Sequence, residues 1–588
     1  MKCKLVNENF KEDYLNQLLR ARGVENIEDF FEPNDSYLQA PTDLKNMEFG
    51  SVLYLRSVQK PNSHILVIVD SDMDGFTSAA IIYQYTKRFN PECDIQYFLH
   101  SGKQHGLEDH INRLLEEGIQ YDLILLPDSS SNDAKYHDML QDIHIPCLIL
   151  DHHLTDVKLS DNAVVINNQL SPLYKNKELT GAGVVYQFCR HLDKKLNLNY
   201  ADDYIDLAAA GIIGDMGSVL EMENRFIIKK GLSNIKNIFL KALLEKQAYS
   251  ITGKMNASWE EILSKTNPIS VAFYIVPLVN ALIRVGSMED KELMFQAFID
   301  GNKLVPCNKR GAKGTFEKAS VEATRVCTNA KNHQAKLKEE ISARLENKIF
   351  KNDLLSNKVL FIKLDNDDNF PSELNGLICM QLSAKYKKPT IVARLNDEGY
   401  VRGSARGLNQ SELKDFKQFM TDSGLFEYAQ GHAQACGCSI PDRNLDNFIK
   451  YANEKLKDFN FDENVYNVNF MRECNESDLR TLVLTLGKAE DIWGQSNPTP
   501  LIYVNNIYVN PADIKIMGAN KDTLKIESNG IAFMKFKAKD LIEEIKEQID
   551  TIKLEIVGRA NINEWGGHII PQIFIDDYQI SSINKYSF

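Results

Sequence analysis

Three short apolar runs, "HILVIVD" (64–70), "YDLILLPD" (121–128) and "PCLILDHH" (146–153), leave this chain few architectures to choose from. Each is too short for a helix and apolar throughout rather than alternating. That is the pattern of a strand buried on both faces. Between them lie the helical patterns "TSAAIIYQYTKRF" and "LEDHINRLLEEG". Doubly buried strands separated by helices predict a parallel α/β sheet over residues 60–240. In such sheets ligands bind outside the carboxyl ends of the strands. All three runs end there in acidic or histidine residues.

The first end reads "VIVDSDMDGFTSAA". Asp70, Asp72 and Asp74 stand at alternate positions and repel one another unless something positive lies among them. D-x-D-x-D-G also opens an EF-hand loop, but counting from Asp70 the twelfth position is Ile81, where that loop needs a bidentate Glu. On an extended backbone the three carboxylates face the same way, and Gly75 permits the turn into the next helix. Hard oxygen donors at a strand end suit Mg²⁺ or Mn²⁺; the blander reading is a solvated acidic turn. The second run ends in Asp128 and the third in Asp151, His152 and His153. Imidazole beside carboxylates favours Mn²⁺ or another transition metal over calcium. Asp215 closes the apolar "LAAAGIIGD", where a buried carboxylate needs a partner. Together these residues offer ligands for two cations about 4 Å apart, the arrangement that activates a water and stabilises the leaving oxygen in phosphodiester hydrolysis.

"DSDMDG", "PDSSSND", "LDHHL" and "GIIGDMGSVLEMENRFIIKKGL" resemble the four successive motifs of DHH phosphoesterases, and the chain is most similar to their RecJ-like single-stranded-DNA exonucleases. The likeness extends to "LLRARGVENIEDFFEP", to "NNQLSPLYKNKELTGAGVVYQFCR" and to "PLVNALIRVGSMED", which resembles a fifth, Asn-Ala-x-x-Arg motif. "VRGSARG" and "QGHAQACG" resemble the Gly-Ser-x-Arg and Gly-Gly-His motifs of the DHH-associated domain. "WGQSNPTPLI" and "ANINEWGGHIIPQIFIDD" resemble the oligonucleotide-binding (OB) barrel that follows. The resemblance implies Asp70, Asp72, Asp128, His152 and Asp215 as ligands of two Mn²⁺ or Mg²⁺ ions, with Asp74, Asp151 and His153 completing the catalytic cluster. It implies that Asn280 and Arg284 hold the DNA strand and that Arg402, Gly403, Ser404, Arg406, Gly431 and His432 meet its phosphates. It also implies 5′→3′ degradation to mononucleotides, in DNA recombination, repair or replication. The residue types agree: a guanidinium matches phosphate as a fork, and Gly403 and Gly431 allow close backbone approach. Of the barrel aromatics Trp493, Tyr503, Trp565 and Phe574, Trp565 in "NEWGG" is the best placed to stack on a base; core packing is the commoner use of the others. Some positions depart from the pattern. "YFLHSGKQHGL" offers His100 and Lys103 where such enzymes usually carry an Arg that reads the 5′ end, and Gln430 replaces the first Gly of Gly-Gly-His. Ser129 or Ser130 stands where a glycine is usual. No ligand is lost, and a divergent, phage-encoded member fits these departures.

The expected organisation is a DHH catalytic domain with an N-terminal extension (1–290), a helical connector (291–356), a second α/β, DHH-associated substrate domain (357–460) and an OB-like β-barrel (461–588). The barrel rests on short β-like runs such as "TPLIYVNNIYV", "DTLKIES" and "KLEIVGRANI". A net charge of −13 argues against coating nucleic acid by bulk attraction but leaves room for a local basic groove. No apolar stretch approaches the roughly 18 residues of a membrane span, and the start lacks a signal peptide's apolar core, so the expected location is cytoplasmic with no membrane partner. The ten cysteines are scattered, with Cys436 and Cys438 the only close pair, and read as free thiols. The expected partner is single-stranded DNA, with a single-strand-binding protein or a helicase by resemblance. Two rivals stand beside this reading. A DHH phosphodiesterase of short oligoribonucleotides or cyclic dinucleotides usually stops after its second domain, whereas this chain continues. A non-catalytic DHH scaffold in replication tends to lose ligands, and here every position is filled.

Overall fold

The computed structural model describes residues 1–582 except 103, 117, 156–157, 313, 366–367, 369 and 566–567, and for Trp565 and Ser582 the backbone alone. Lys103 and the side chain of Trp565 therefore lie outside the described residues. Two units form: Asn26–Ala335 with Asp491–Pro498, and Met1–Glu25 with Lys336–Glu490 and Thr499–Phe588.

The first unit is built on five strands, His64–Val69, Asp94–Leu99, Leu123–Pro127, Cys147–Asp151 and Ala163–Asn167. All pair in parallel. Their spatial order is 94–99, 64–69, 123–127, 147–151, 163–167. The three inner strands are the apolar runs of the sequence. Of the two edge strands, 94–99 is alternately exposed and so less apolar in sequence, whereas 163–167 is apolar but ends in Asn167 rather than in an acid or histidine. The order reverses between strands 64–69 and 123–127, and at such a switch point a crevice opens at the carboxyl ends. Helices Met73–Phe89, Gly181–Leu196 and Ile205–Gly214 share one core with the sheet through Ala80, Val184, Phe188 and Ala209.

One expectation is overturned here. Pro268–Val285 is an 18-residue helical stretch of mean hydropathy 1.7, so a segment of spanning length and apolarity does exist. Its Val271, Ile275, Val279 and Leu282 pack into this unit's core, which accounts for the composition. The stretch contains a π-turn at Val271–Ile275. It falls where Pro277, lacking an N–H, cannot bond back to the Phe273 carbonyl.

In the second unit five strands are ordered Tyr428–His432, Ala435–Pro441, Tyr400–Arg406, Thr390–Leu395, Leu360–Leu364. A seven-stranded mixed sheet, which includes the long hairpin Ile552–Trp565 and His568–Ser582, follows. Helix Ala319–Lys351, 33 residues long, lies within the expected connector, 291–356, whose residues up to Ala335 group with the first unit. The grouping departs from the expected limits at two further places. Lys2–Leu5 pairs in parallel with Val465–Val468, and Asn9 accepts from buried Arg472 at 2.5 Å, so residues 1–25 group with the C-terminal unit. Residues 491–498 group instead with the catalytic sheet. There Arg225, closed to solvent, pairs with Asp491 at 2.9 Å, and Trp493 is buried, not offered to a base.

Candidate metal centre

Asp70 leaves the 64–69 strand fully buried, and Asp72 caps helix Met73–Phe89 by accepting the Gly75 N–H at 3.1 Å. Gly75 lies inside that helix, not at the turn. A Cβ there would come 2.5 Å from the Asp70 Cβ and 2.6 Å from its carbonyl oxygen, so the glycine gives clearance. Asp128 follows the 123–127 strand at φ 67°, a left-handed conformation that costs a non-glycine residue about 1–2 kcal/mol and aims its carboxylate into the crevice. Asp151 ends the next strand, and Asp215 caps the C-terminus of helix Ile205–Gly214.

These segments converge. His152 Nε2 lies 3.2 Å from Asp128 Oδ1, 3.4 Å from Asp215 Oδ2 and 3.9 Å from Asp74 Oδ2. Ligand atoms of Asp70, Asp72 and Asp128 all fall within 4.8 Å of one another, as do those of Asp128, His152 and His153, and of Asp74, His152 and Asp215. Asp70 Oδ1, Asp128 Oδ1 and His152 Nε2 are buried with no hydrogen-bond partner. Burial, reinforced by the charges of Asp74, Asp72 and Asp70, pushes the Asp128 carboxyl well above the usual range. Burial also raises Asp70, against the pull of His105, whose Nδ1 sits 2.6 Å from Asp70 Oδ2. Orphaned oxygens and an imidazole nitrogen turned toward one another are what a hard or borderline divalent cation would satisfy, so the donor set fits Mn²⁺ or Mg²⁺.

Two of the acids have their oxygens engaged elsewhere. Asp74 accepts from Thr180 Oγ1, Gly181 N and Ala182 N at 2.9, 2.7 and 3.0 Å, and so pins the N-terminus of helix Gly181–Leu196 beside Asp128. Asp151 accepts from Ser131 N at 3.0 Å, His152 N at 2.7 Å and His153 Nδ1 at 2.7 Å. Burial would raise its carboxyl, but the His153 contact outweighs it and holds the group low. The same contact, against burial, lifts His153 to about 9. Both acids position neighbours. His105, Thr180 and Gly181 carry no signal of these roles in the sequence. The first sits in a loop with no periodic signal, and the others act through a contact 106 or more residues away.

Asn280 and Arg284 lie one turn apart on helix Val276–Val285, both half-buried, and Asn280 Oδ1 is buried without a partner. In the second unit, strand register decides which residues share a face. Arg402, Ser404 and Arg406 oppose Ser439, Gly437 and Ala435, which oppose Tyr428, Gln430 and His432. Opposed residues point the same way, so Ser404, Arg406, Gln430 and His432 surround Gly437 and Ala435. Arg402 stands at the far end of this face and is paired with Glu398 at 3.2 Å and Glu427 at 3.6 Å. Gly403 belongs to the opposite face, and a Cβ there would come 2.1 Å from the Val392 carbonyl. Its glycine therefore serves strand packing and not approach to a phosphate. Gly431, at φ 127°, has a conformational reason to be glycine. Gly437 has neither reason: a Cβ would meet only the Gly403 carbonyl at 3.9 Å. Interior glycine weakens a strand and often marks close approach by a ligand.

The model of the DHH family, N-terminal domain, matches residues 64–212, and that of the RecJ OB domain matches 474–577. The chain is 34% identical over 589 residues to YorK of the SPbeta prophage in Bacillus subtilis (strain 168), whose name describes a single-strand DNA-specific exonuclease; the match covers 99% of this chain and 98% of that one. It is 23% identical over 579 residues to the single-stranded-DNA-specific exonuclease RecJ of the same bacterium, covering 96% of this chain and 67% of that one. The solved structure of RecJ from Thermus thermophilus in complex with Mn²⁺ matches at TM-score 0.69 and 18% identity, over 96% of this chain and 75% of that one. At that identity the likeness speaks for the fold. Similarity sustained along the full length to YorK places the chain in the DHH phosphoesterase family, among its RecJ-like single-strand-DNA-specific exonucleases.

Proposed function

We propose that this chain is a metal-dependent exonuclease that shortens single-stranded DNA from its 5′ end and releases 5′-mononucleotides. The observation that carries the reading is the trio of buried, unpartnered atoms, Asp70 Oδ1, Asp128 Oδ1 and His152 Nε2, at the switch point of a parallel sheet. Asp70, Asp72, Asp128, His152 and Asp215 are the residues that would hold two Mn²⁺ or Mg²⁺ ions. Bound there, the ions supply Lewis-acid activation of water and charge stabilisation for in-line displacement at phosphorus. Asp151 and His153 keep His152 in place, His153 holding its proton toward Asp151, and Asp74 fixes the helix that backs Asp128. Asn280 and Arg284 hold the strand near this centre. Ser404, Arg406 and His432 take a phosphate on the second unit. A helicase or single-strand-binding protein would present the strand, and the place of action is the cytoplasm.

Single strands labelled at either end, incubated with Mn²⁺, test the reading. A labelled mononucleotide should be the first product from the 5′-labelled strand only, and a chelator should stop its release. Internal cuts, or release from the 3′ label first, would refute it.

Gly437 gives a second expectation. Gly437→Val suits a strand and should leave the thermal midpoint unchanged or raised. It should weaken binding of a labelled single-stranded 20-mer by about tenfold, the 1.4 kcal/mol of one lost contact. Fluorescence anisotropy with EDTA present, so that cleavage plays no part, measures it. An unchanged affinity would remove Gly437 from the substrate path.

A further inference from the structure

We infer that His100, Asp109 and His110 form a separate cation site, suited to a borderline transition metal such as Zn²⁺, Co²⁺ or Mn²⁺. His100 directly follows the 94–99 edge strand and its side chain is closed to solvent. His100 Nδ1 lies 2.8 and 2.9 Å from the two Asp109 oxygens. From the other side His110 Nε2 approaches Asp109 Oδ1 at 3.8 Å. The two imidazole rings are 4.5 Å apart between centroids. One ligand atom from each residue falls within 4.8 Å of the other two.

A hydrogen-bonded His100–Asp109 pair would account for two of these residues but not the third. His110 is 6% exposed, and its Nε2, which faces the carboxylate, is buried with no hydrogen-bond partner. Leaving such a nitrogen unpaired in the interior is unfavourable. A cation among two imidazoles and a carboxylate removes that cost, and two nitrogens with one oxygen, completed by water through the 27%-exposed Asp109, make a familiar four-coordinate set.

The position gives the site a consequence. Its residues close the two ends of the segment 100–110, and His105 within that segment holds Asp70 Oδ2 at 2.6 Å. Lys291 Nζ already ties the near end by donating to the His100 and Ser101 carbonyls at 3.1 and 2.6 Å. Cation binding ties the far end and so steadies His105 against Asp70.

The test counts metal on the full chain dialysed against Co²⁺, by elemental analysis with the visible Co²⁺ spectrum recorded in parallel. The wild type should hold one equivalent more than His110→Phe, which keeps a ring in place, and one more than Asp109→Asn, which keeps the shape. The intense bands of a four-coordinate site should fall at least twofold in both variants. They should persist in Asp128→Asn, whose carboxylate centre is impaired, so loss of the nuclease reading would not imitate loss of this site. Equal metal content in wild type and both variants, or no four-coordinate bands in the wild type, would overturn the proposal.

Discussion

Asp128→Asn should cut Mn²⁺-dependent hydrolysis of single-stranded DNA by about a thousandfold or more, roughly 4 kcal/mol of barrier, while leaving the metal-free chain at least as stable as the wild type. The two effects share one cause. Asp128 is buried, its Oδ1 has no donor, and Asp70, Asp72 and Asp74 surround it with like charge. An amide has the same shape without the charge, and Asn tolerates the left-handed backbone that Asp128 adopts. The sign with pH follows from the raised carboxyl. A folded pKa above the unfolded value of about 3.9 means that the folded chain binds the proton more tightly, so the group's contribution becomes less favourable as pH rises. With EDTA present, the thermal midpoint of the variant should therefore draw ahead of the wild type between pH 4 and neutrality. A variant that melts earlier throughout, or that still cleaves, would remove Asp128 from the metal centre.

Gly181→Ala should be the most damaging substitution of a residue that carries no ligand atom. A Cβ at position 181 would lie 2.3 Å from Asp128 Oδ1 and 2.5 Å from its Cβ, far inside contact distance. The helix cannot retreat easily, because Asp74 holds Thr180, Gly181 and Ala182 with three hydrogen bonds. Asp128 must then swing away, relaxing its left-handed backbone. Since alanine favours helix by up to about 1 kcal/mol over glycine, the chain should still fold. Hydrolysis should fall about a hundredfold and metal affinity with it, measured by calorimetric titration with Mn²⁺. Wild-type affinity would show that Asp128 keeps its position.

The central strands were legible because burial on both faces writes an uninterrupted apolar run, and the ligands were legible because they sit where those runs stop. What was not legible depends on partners far away in the chain. Asp74 and Asp151 look like ligands by type, yet Thr180, Gly181, Ser131 and His153 engage their oxygens. Gly403 and Gly437 are both strand glycines near a phosphate-binding motif, and only register and clearance tell the one that packs from the one left open. Trp493 reads as part of a β-rich tail, but its segment returns to the other unit and buries it.

That return of eight residues, Asp491–Pro498, has a practical consequence for anyone dissecting the molecule. No single cut yields both halves intact. Stopping the polypeptide after residue 335 would strip Arg225 of both its contacts with Asp491, to the carboxylate and to the carbonyl. A hydrolase core worth assaying alone must have that octapeptide grafted back.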